Sequence, residues 1–304
     1  MGSVFSPYYA WARRKPDADP MNHCALNVAL YGNTARWAMT ERSAAVCARN
    51  AVSFVIGPSR LRSSEGRLHV AIDEVANPLP RRVRGEVTIA LGDCSTAVFA
   101  LTPDGAHRWG PINPRARIAV ALDCPPLRWE GWAYLDSNEG DEAIEQGFSD
   151  WDWSRAHLPD GSTAVLYEVR ARPERLEAGD SPRRGTSNAR SYPSGGDRMH
   201  PTPVNGGLLA LQCFAGAEAR RIEPGVRQSL GHSKWRIAMH SYQEGSEPAR
   251  IRRRLEDTPF YARSLLDCRV LGHRVEAVHE TLDARRFGQW WVQNLLPWRM
   301  PRAD

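Results

Sequence analysis

The strongest constraint on this 304-residue chain is the period of two in its apolar residues. Between residues 83 and 91, Val83, Gly85, Val87, Ile89 and Leu91 fall on one side while Arg84, Glu86 and Thr88 fall on the other. That is the pattern of a strand with one buried face and one wet face. It recurs at 68–72, 118–122, 164–169, 208–214, 234–239 and 275–277, with turn-forming clusters such as Pro103-Asp104-Gly105, Pro125-Pro126 and Pro159-Asp160-Gly161 between the runs. Helical spacing is confined to 141–149 and 283–296. The pattern predicts an all-β chain of antiparallel strands, packed as barrels or sandwiches, with few short helices. The length accommodates two such units, and we place them at 1–135 and 136–304. Residues 171–206, rich in Pro, Gly, Ser and Arg, interrupt the pattern and read as a disordered insertion in the second unit.

Charge narrows the partners. The formal net charge is +5, and all but Lys15 and Lys234 of the 40 basic residues are arginine. The charges are spread along the chain, and the short runs Arg81-Arg82-Val83-Arg84 and Arg252-Arg253-Arg254 read as wet faces of strands. Nucleic acid is therefore not an expected partner. No window holds the roughly 20 apolar residues that span a bilayer, so a cytoplasmic protein, at most peripheral to a membrane, is expected. Trp290-Trp291-Val292 and Leu295-Leu296-Pro297-Trp298-Arg299 either dock into a core, the favoured reading, or make an aromatic contact with a membrane surface. The six cysteines have no zinc or redox spacing, and free thiols are expected.

Phosphate-loop, dinucleotide, Gly-x-Ser-x-Gly and His-Glu-x-x-His motifs are absent. The acidic run from Asp136 to Glu142 fails as a calcium loop, because Asp141 and Gly147 stand where Gly and Glu are required. More informative is Arg128-Trp129-Glu130-Gly131-Trp132-Ala133-Tyr134-Leu135-Asp136. Read as a strand, it puts Trp132, Tyr134 and Asp136 on one face, an aromatic wall ending in a carboxylate, with Trp129 on the other. His107 and Trp109 form a second pair two residues apart. The bland alternatives stay open at this point: Trp109 as core, His107 as a solvated loop residue, Asp136 as a strand-end cap. A glycosidase using Asp136 with Asp141, Glu142 or Asp152 and a non-enzymatic carrier of an apolar ligand are the rival functions.

Several blocks resemble the carotenoid 1,2-hydratase (hydroxyneurosporene synthase) family. They include Gly2 to Arg14, Asn22 to Val28, Arg36 to Arg42, Pro80 to Gly85, Gly131 to Gly140, Trp151-Asp152-Trp153-Ser154-Arg155, Leu255 to Ser264 and Leu296 to Arg302. The resemblance covers nearly the whole chain outside 171–206. It implies paired lipocalin-like β units that add water across the terminal C1–C2 double bond of acyclic carotenoids, with no cofactor or metal. It also implies catalytic roles for His107, Trp109, Tyr134 and Asp136, the positions that match the family's His-x-Trp and Tyr-x-Asp pairs. Trp129, Trp132 and Trp153 are the expected substrate-binding walls, and Glu256 and Asp257 are reserve acids more readily read as a strand-end salt bridge. Family members often carry an upstream strand with Trp-Trp-Tyr, whereas this chain starts at the Gly2 block, so the first unit is expected to lack a strand or to be a short form.

Overall fold

The computed structural model describes residues 1–172, 202–204, 207–223 and 225–304. Twenty-one strands and a few short helices make up these described residues, so the all-β expectation holds. In chain order the strands are β1 (Cys24–Leu30), β2 (Arg36–Arg42), β3 (Cys47–Arg49), β4 (Ser53–Ile56), β5 (Ser59–Ser64), β6 (Arg67–Ala76) and β7 (Arg81–Ala90). They continue with β8 (Phe99–Ala100), β9 (His107–Cys124), β10 (Pro126–Gly140), β11 (Phe148–His157), β12 (Thr163–Ala171), β13 (Thr202–Val204) and β14 (Gly207–Ala215). The last are β15 (Glu218–Arg221), β16 (Val226–His232), β17 (Ala238–Gln243), β18 (Arg250–Asp257), β19 (Tyr261–Val270), β20 (His273–Asp283) and β21 (Arg302–Ala303).

The chain divides into two compact units, one of residues 1–92, 116–133 and 289–304, the other of 93–115 and 134–288. The sequence reading places a single cut after Leu135. The observed units instead interleave, because β9 and β10 each contribute one end to either unit and the C-terminal segment belongs with the first.

In the first unit the order β10-β9-β7-β6-β5-β4-β3 builds one sheet, and β1-β2-β21 forms a smaller one. Val83, Ile72, Ala76, Val120, Leu122 and Ala38 form the buried centre of the core, with Val87 packed against it. Alternate residues of β7 thus point inward as the period predicts. Glu41, 1% exposed, is satisfied by His23 Nδ1 at 2.8 Å and by Ser6 and Arg302 at closer contact, and β21 pairs parallel to β2 beside it.

In the second unit the order is β13-β14-β12-β11-β20-β19-β18, with β15 on β14 and the hairpin β16-β17 forming a separate two-stranded sheet. All the pairings in this sheet are antiparallel. Both large sheets have free ends, so neither closes into a barrel. Two local expectations are corrected. Only Ile144–Gly147 of 141–149 is helical, because Phe148 already pairs with β12. Residues 234–237 form a turn, and the strand begins at Ala238. Helical spacing at 283–296 resolves into Ala284–Phe287 and Trp290–Leu295. The 171–206 insertion falls largely on residues outside those described. All six cysteines are free.

One face of β11 carries a buried ionic cluster. Asp152, 0% exposed, accepts from Thr281 Oγ1 at 2.6 Å, Arg170 Nη2 at 2.9 Å and the His240 amide at 3.1 Å. His240 Nδ1 and His279 Nε2 stand 3.5 Å from its oxygens. Burial alone would raise the Asp152 carboxyl, yet these hydrogen bonds and the charges of His279 and Arg170 hold it well below the usual carboxylate range. Arg170 also pairs with Glu168 at 3.0 Å, and Arg227 closes on the same Glu168 from β16 at 2.9 Å. The cluster thereby ties β11, β12, β16, β17 and β20 together. Removing one member strands a buried charge, so Asp152→Ala should lower the unfolding free energy by about 3–5 kcal/mol, measured by denaturant titration at neutral pH. A loss below 1 kcal/mol would contradict this role.

Candidate active site

The other face of β11 meets a cluster of packed aromatic rings. The Pro103-Asp104-Gly105 turn, with Gly105 at φ +69°, leads into β9. The amide of Leu101 donates to the His107 carbonyl at 2.8 Å, and the His107 amide donates to Thr102 Oγ1 at 3.1 Å. This hairpin fixes His107 and Trp109 on the inward face of β9, opposite Phe99 of β8. Trp109 is 0% exposed, its ring packed by Phe99 at 4.9 Å, Tyr167 at 5.7 Å and Phe214 at 6.3 Å between centroids. The plain core reading of Trp109 therefore holds for its ring.

Its nitrogen has a second task. Trp109 Nε1 donates to Asp136 Oδ2 at 2.9 Å, and the Tyr134 hydroxyl donates to the same oxygen at 3.2 Å. Tyr134 in turn packs on Trp153 at 5.3 Å, and the Arg155 guanidinium stands 5.9 Å from its ring centre. Trp153 is buried, whereas Tyr134 and Asp136 are each partly exposed, so the acid lies at the open side of this set. Burial raises the Asp136 carboxyl to about 6, against the lowering effect of the two hydrogen bonds; Glu280 adds to the rise and Arg155 opposes it. Burial likewise pushes Tyr134 and Tyr167 well above the usual phenol range.

His107 is buried, not a solvated loop residue. Its ring lies 4.5 Å from Phe148, and Nε2 is 3.4 Å from Glu142 Oε1. Gly140 and Gly147 make room for it: a Cβ would come within 2.8 Å of the ring at Gly140 and 2.5 Å at Gly147. The acidic run is thereby explained structurally. Asp141 clasps Arg108 through bonds of 2.8 and 2.9 Å, and Glu142 faces His107. Asp152 belongs to the ionic cluster, which leaves the glycosidase reading without its second carboxylate. Asp257 accepts from the Lys234 amide at 2.6 Å at the end of β18, as a strand-end residue does.

Of the seven expected residues, the structure gathers Trp109, Tyr134, Asp136 and Trp153 into one contact set and holds His107 on the same face of β9 as Trp109. Trp129 and Trp132 belong to the first unit, 46% and 45% exposed, with the Arg117 guanidinium 4.7 Å over the Trp132 ring. Sequence reasoning missed Phe99, Tyr167, Phe214, Arg155 and Glu280, which strand pairing alone brings to the aromatic cluster. A separate groove of about 390 Å³ on the first unit is lined by Asp73, Arg84, Glu86, Asp123 and Arg128 among others. It has no aromatic side chain, unlike the cluster around Asp136. Among the described residues no group of three His, Cys, Asp or Glu is arranged to hold a metal.

A carboxyl raised in the folded state favours folding below its unfolded value of about 4 and loses that advantage as pH rises through about 6. Asp136→Asn should therefore stabilise the protein at pH 8. Discounted for partial exposure to water, the gain is about 1–2 kcal/mol. Unfolding curves at pH 4 and pH 8 check this: the variant's advantage should vanish at the lower pH, and a destabilised variant at pH 8 would contradict it.

The chain has clear relatives. The family profile described as carotenoid hydratase CrtC matches residues 1–185 and 205–304. The acyclic carotenoid 1,2-hydratase of Rubrivivax gelatinosus is 45% identical over 99% of this chain and 68% of its own length. That of Thiocapsa roseopersicina is 42% identical over 100% of this chain and 68% of its own. The Cereibacter sphaeroides enzyme of the same name is 33% identical over 99% and 96%. With a profile match over most of its length and relatives above 30% identity, the chain belongs to the carotenoid hydratase CrtC family.

Proposed function

We propose that the chain hydrates the terminal C1–C2 double bond of acyclic carotenoids such as neurosporene and lycopene, giving 1-hydroxy-1,2-dihydro products. The observation that carries this reading is the double donation to one oxygen of Asp136. With Oδ2 engaged by Trp109 and Tyr134, the proton of the neutral acid resides on Oδ1. An ordinary aspartic acid at about 4 is roughly 0.1% protonated at pH 7, whereas one at about 6 is roughly a tenth protonated. Packing an apolar polyene against the carboxyl desolvates it further and favours the neutral form.

The proton moves from Asp136 to C2, and the electron pair of the double bond leaves a tertiary cation at C1. Tyr134 and Trp153 present ring faces to that charge, a contact worth about 2 kcal/mol per desolvated ring. Water forms the C–O bond at C1, and the resulting oxonium releases one proton to solvent. We assign the orientation of that water to His107, whose imidazole Glu142 holds in place. Asp136 regains its proton from solvent, which closes the cycle with water as the only co-reactant. Trp109 supports the acid through its N–H, since its ring is covered on its packed sides.

Turnover of lycopene in water enriched in heavy oxygen tests the reading. Wild-type product should carry the label on its new hydroxyl, and Asp136→Asn should lose about 10²–10⁴-fold in rate, the contribution of a positioned general acid. Carotenoid recovered unchanged from the wild type would mark a carrier instead, and near-normal turnover in the variant would remove Asp136 from the chemistry.

A bilayer-resident substrate requires contact with lipid. Among the described residues no helix is long and apolar enough to cross a membrane. The core-docking expectation holds for Val292, which is fully buried, but not for Trp290 and Trp298, which are 77% and 75% exposed, near Arg299, which lies over Trp37. This supports a peripheral contact through the C-terminal segment. The double variant Trp290→Ala/Trp298→Ala should sediment with anionic liposomes several-fold less than wild type, and equal sedimentation would refute the assignment.

A further inference from the structure

The aromatic cluster holds more charge than a wall for a polyene needs. Glu280 stands opposite Trp153 in the β11–β20 register and opposite Arg263 in the β19–β20 register. It therefore shares the face of Trp153, whose ring packs on the Tyr134 that binds Asp136. Arg263 reaches its Oε1 through Nε at 3.0 Å and Nη2 at 2.9 Å. Arg155, one strand away and on the same face of β11 as Trp153, lies over Tyr134. The groups facing Asp136 are thus Trp109 from β9, Tyr134 from β10, Arg155 from β11, Tyr167 from β12, and Glu280 from β20 with its partner Arg263 from β19. Of these, one anion and two cations are charged. Charges set against aromatic rings cost desolvation energy, and a hydrocarbon substrate gives them nothing to bind.

Resting on the hydratase reading, we infer that Glu280 is a positioning residue whose negative charge keeps the proton on Asp136 and favours the cation, while Arg155 opposes it and Arg263 sets how much of the Glu280 charge is felt. The arrangement separates the donor from its field. Asp136 delivers the proton, Glu280 never touches the substrate, and the two carboxylates disfavour simultaneous ionisation.

Infrared titration of the Asp136 carboxylic C=O band in the full chain, assigned by its loss in Asp136→Asn, tests this without carotenoid. Glu280→Gln should move the protonation midpoint down by about half to one pH unit, since it removes the anion and frees Arg263. Arg155→Gln should move it up by a similar amount. A purely structural role for either residue would lower the melting temperature and leave the midpoint in place. Should Glu280→Gln fail to fold, Arg155→Gln reads the same field with the opposite sign. Midpoints within about 0.2 unit of wild type, roughly the precision of such a titration, would overturn the proposal. Because the readout needs no turnover, unmoved midpoints beside an inactive Asp136→Asn overturn this inference alone, and shifted midpoints in a protein that hydrates nothing sustain it while the hydratase reading falls.

Discussion

A carboxyl group largely withdrawn from water among aromatic rings is the constraint from which the site follows. Asp136 is buried enough to be raised to about 6, yet both donors within reach, the Trp109 indole and the Tyr134 hydroxyl, converge on a single oxygen. The other oxygen is left for the proton. Every neighbouring feature serves that placement: Phe99, Tyr167 and Phe214 fix the Trp109 ring, and Trp153 backs Tyr134. Desolvation raises the fraction of Asp136 that is protonated near pH 7 well above that of an ordinary aspartic acid, which is what donation to an unactivated alkene would need.

Strand β11 divides two electrostatic regimes. Its alternation sends Asp152 into a network of arginine, histidine and threonine, which keeps that carboxyl ionised, and sends Trp153 and Arg155 toward the side of Asp136, whose carboxyl burial raises to about 6. Two aspartates in one unit are thus pushed in opposite directions by what their strands pair with. The ionic cluster joins strands distant in sequence and holds the sheet, and the aromatic face carries Trp153 and Arg155. The carboxylate that stabilises the fold and the one that costs it stability are therefore different residues, which lets each be altered without the other.

Much of this was legible in the sequence because strands report their faces locally. The pairs His107/Trp109 and Tyr134/Asp136 are two residues apart and share a face by the pleat alone. The alternation at 83–91 likewise gave the core side of β7 correctly. What stayed hidden depends on pairing between distant segments. Phe214, Glu280 and the Asp152 partners His240 and Thr281 come from strands whose register no local pattern states. Trp129 and Trp132 lie on the part of β10 that belongs to the first unit, a division that the smooth alternation along the strand does not reveal. The helical spacing at 141–149 was overruled at Phe148 by cross-strand pairing. The family blocks were legible too, and the profile match over residues 1–185 and 205–304 agrees with them.

The central claim is that a neutral Asp136 delivers the proton to the alkene. The pH dependence of single-turnover hydration of an acyclic carotenoid tests it most directly. The account predicts a rate that is highest in mild acid and falls tenfold per pH unit above about 6, the loss of one proton from Asp136. A rate that stays level or rises from about pH 6 to about pH 8 would contradict it.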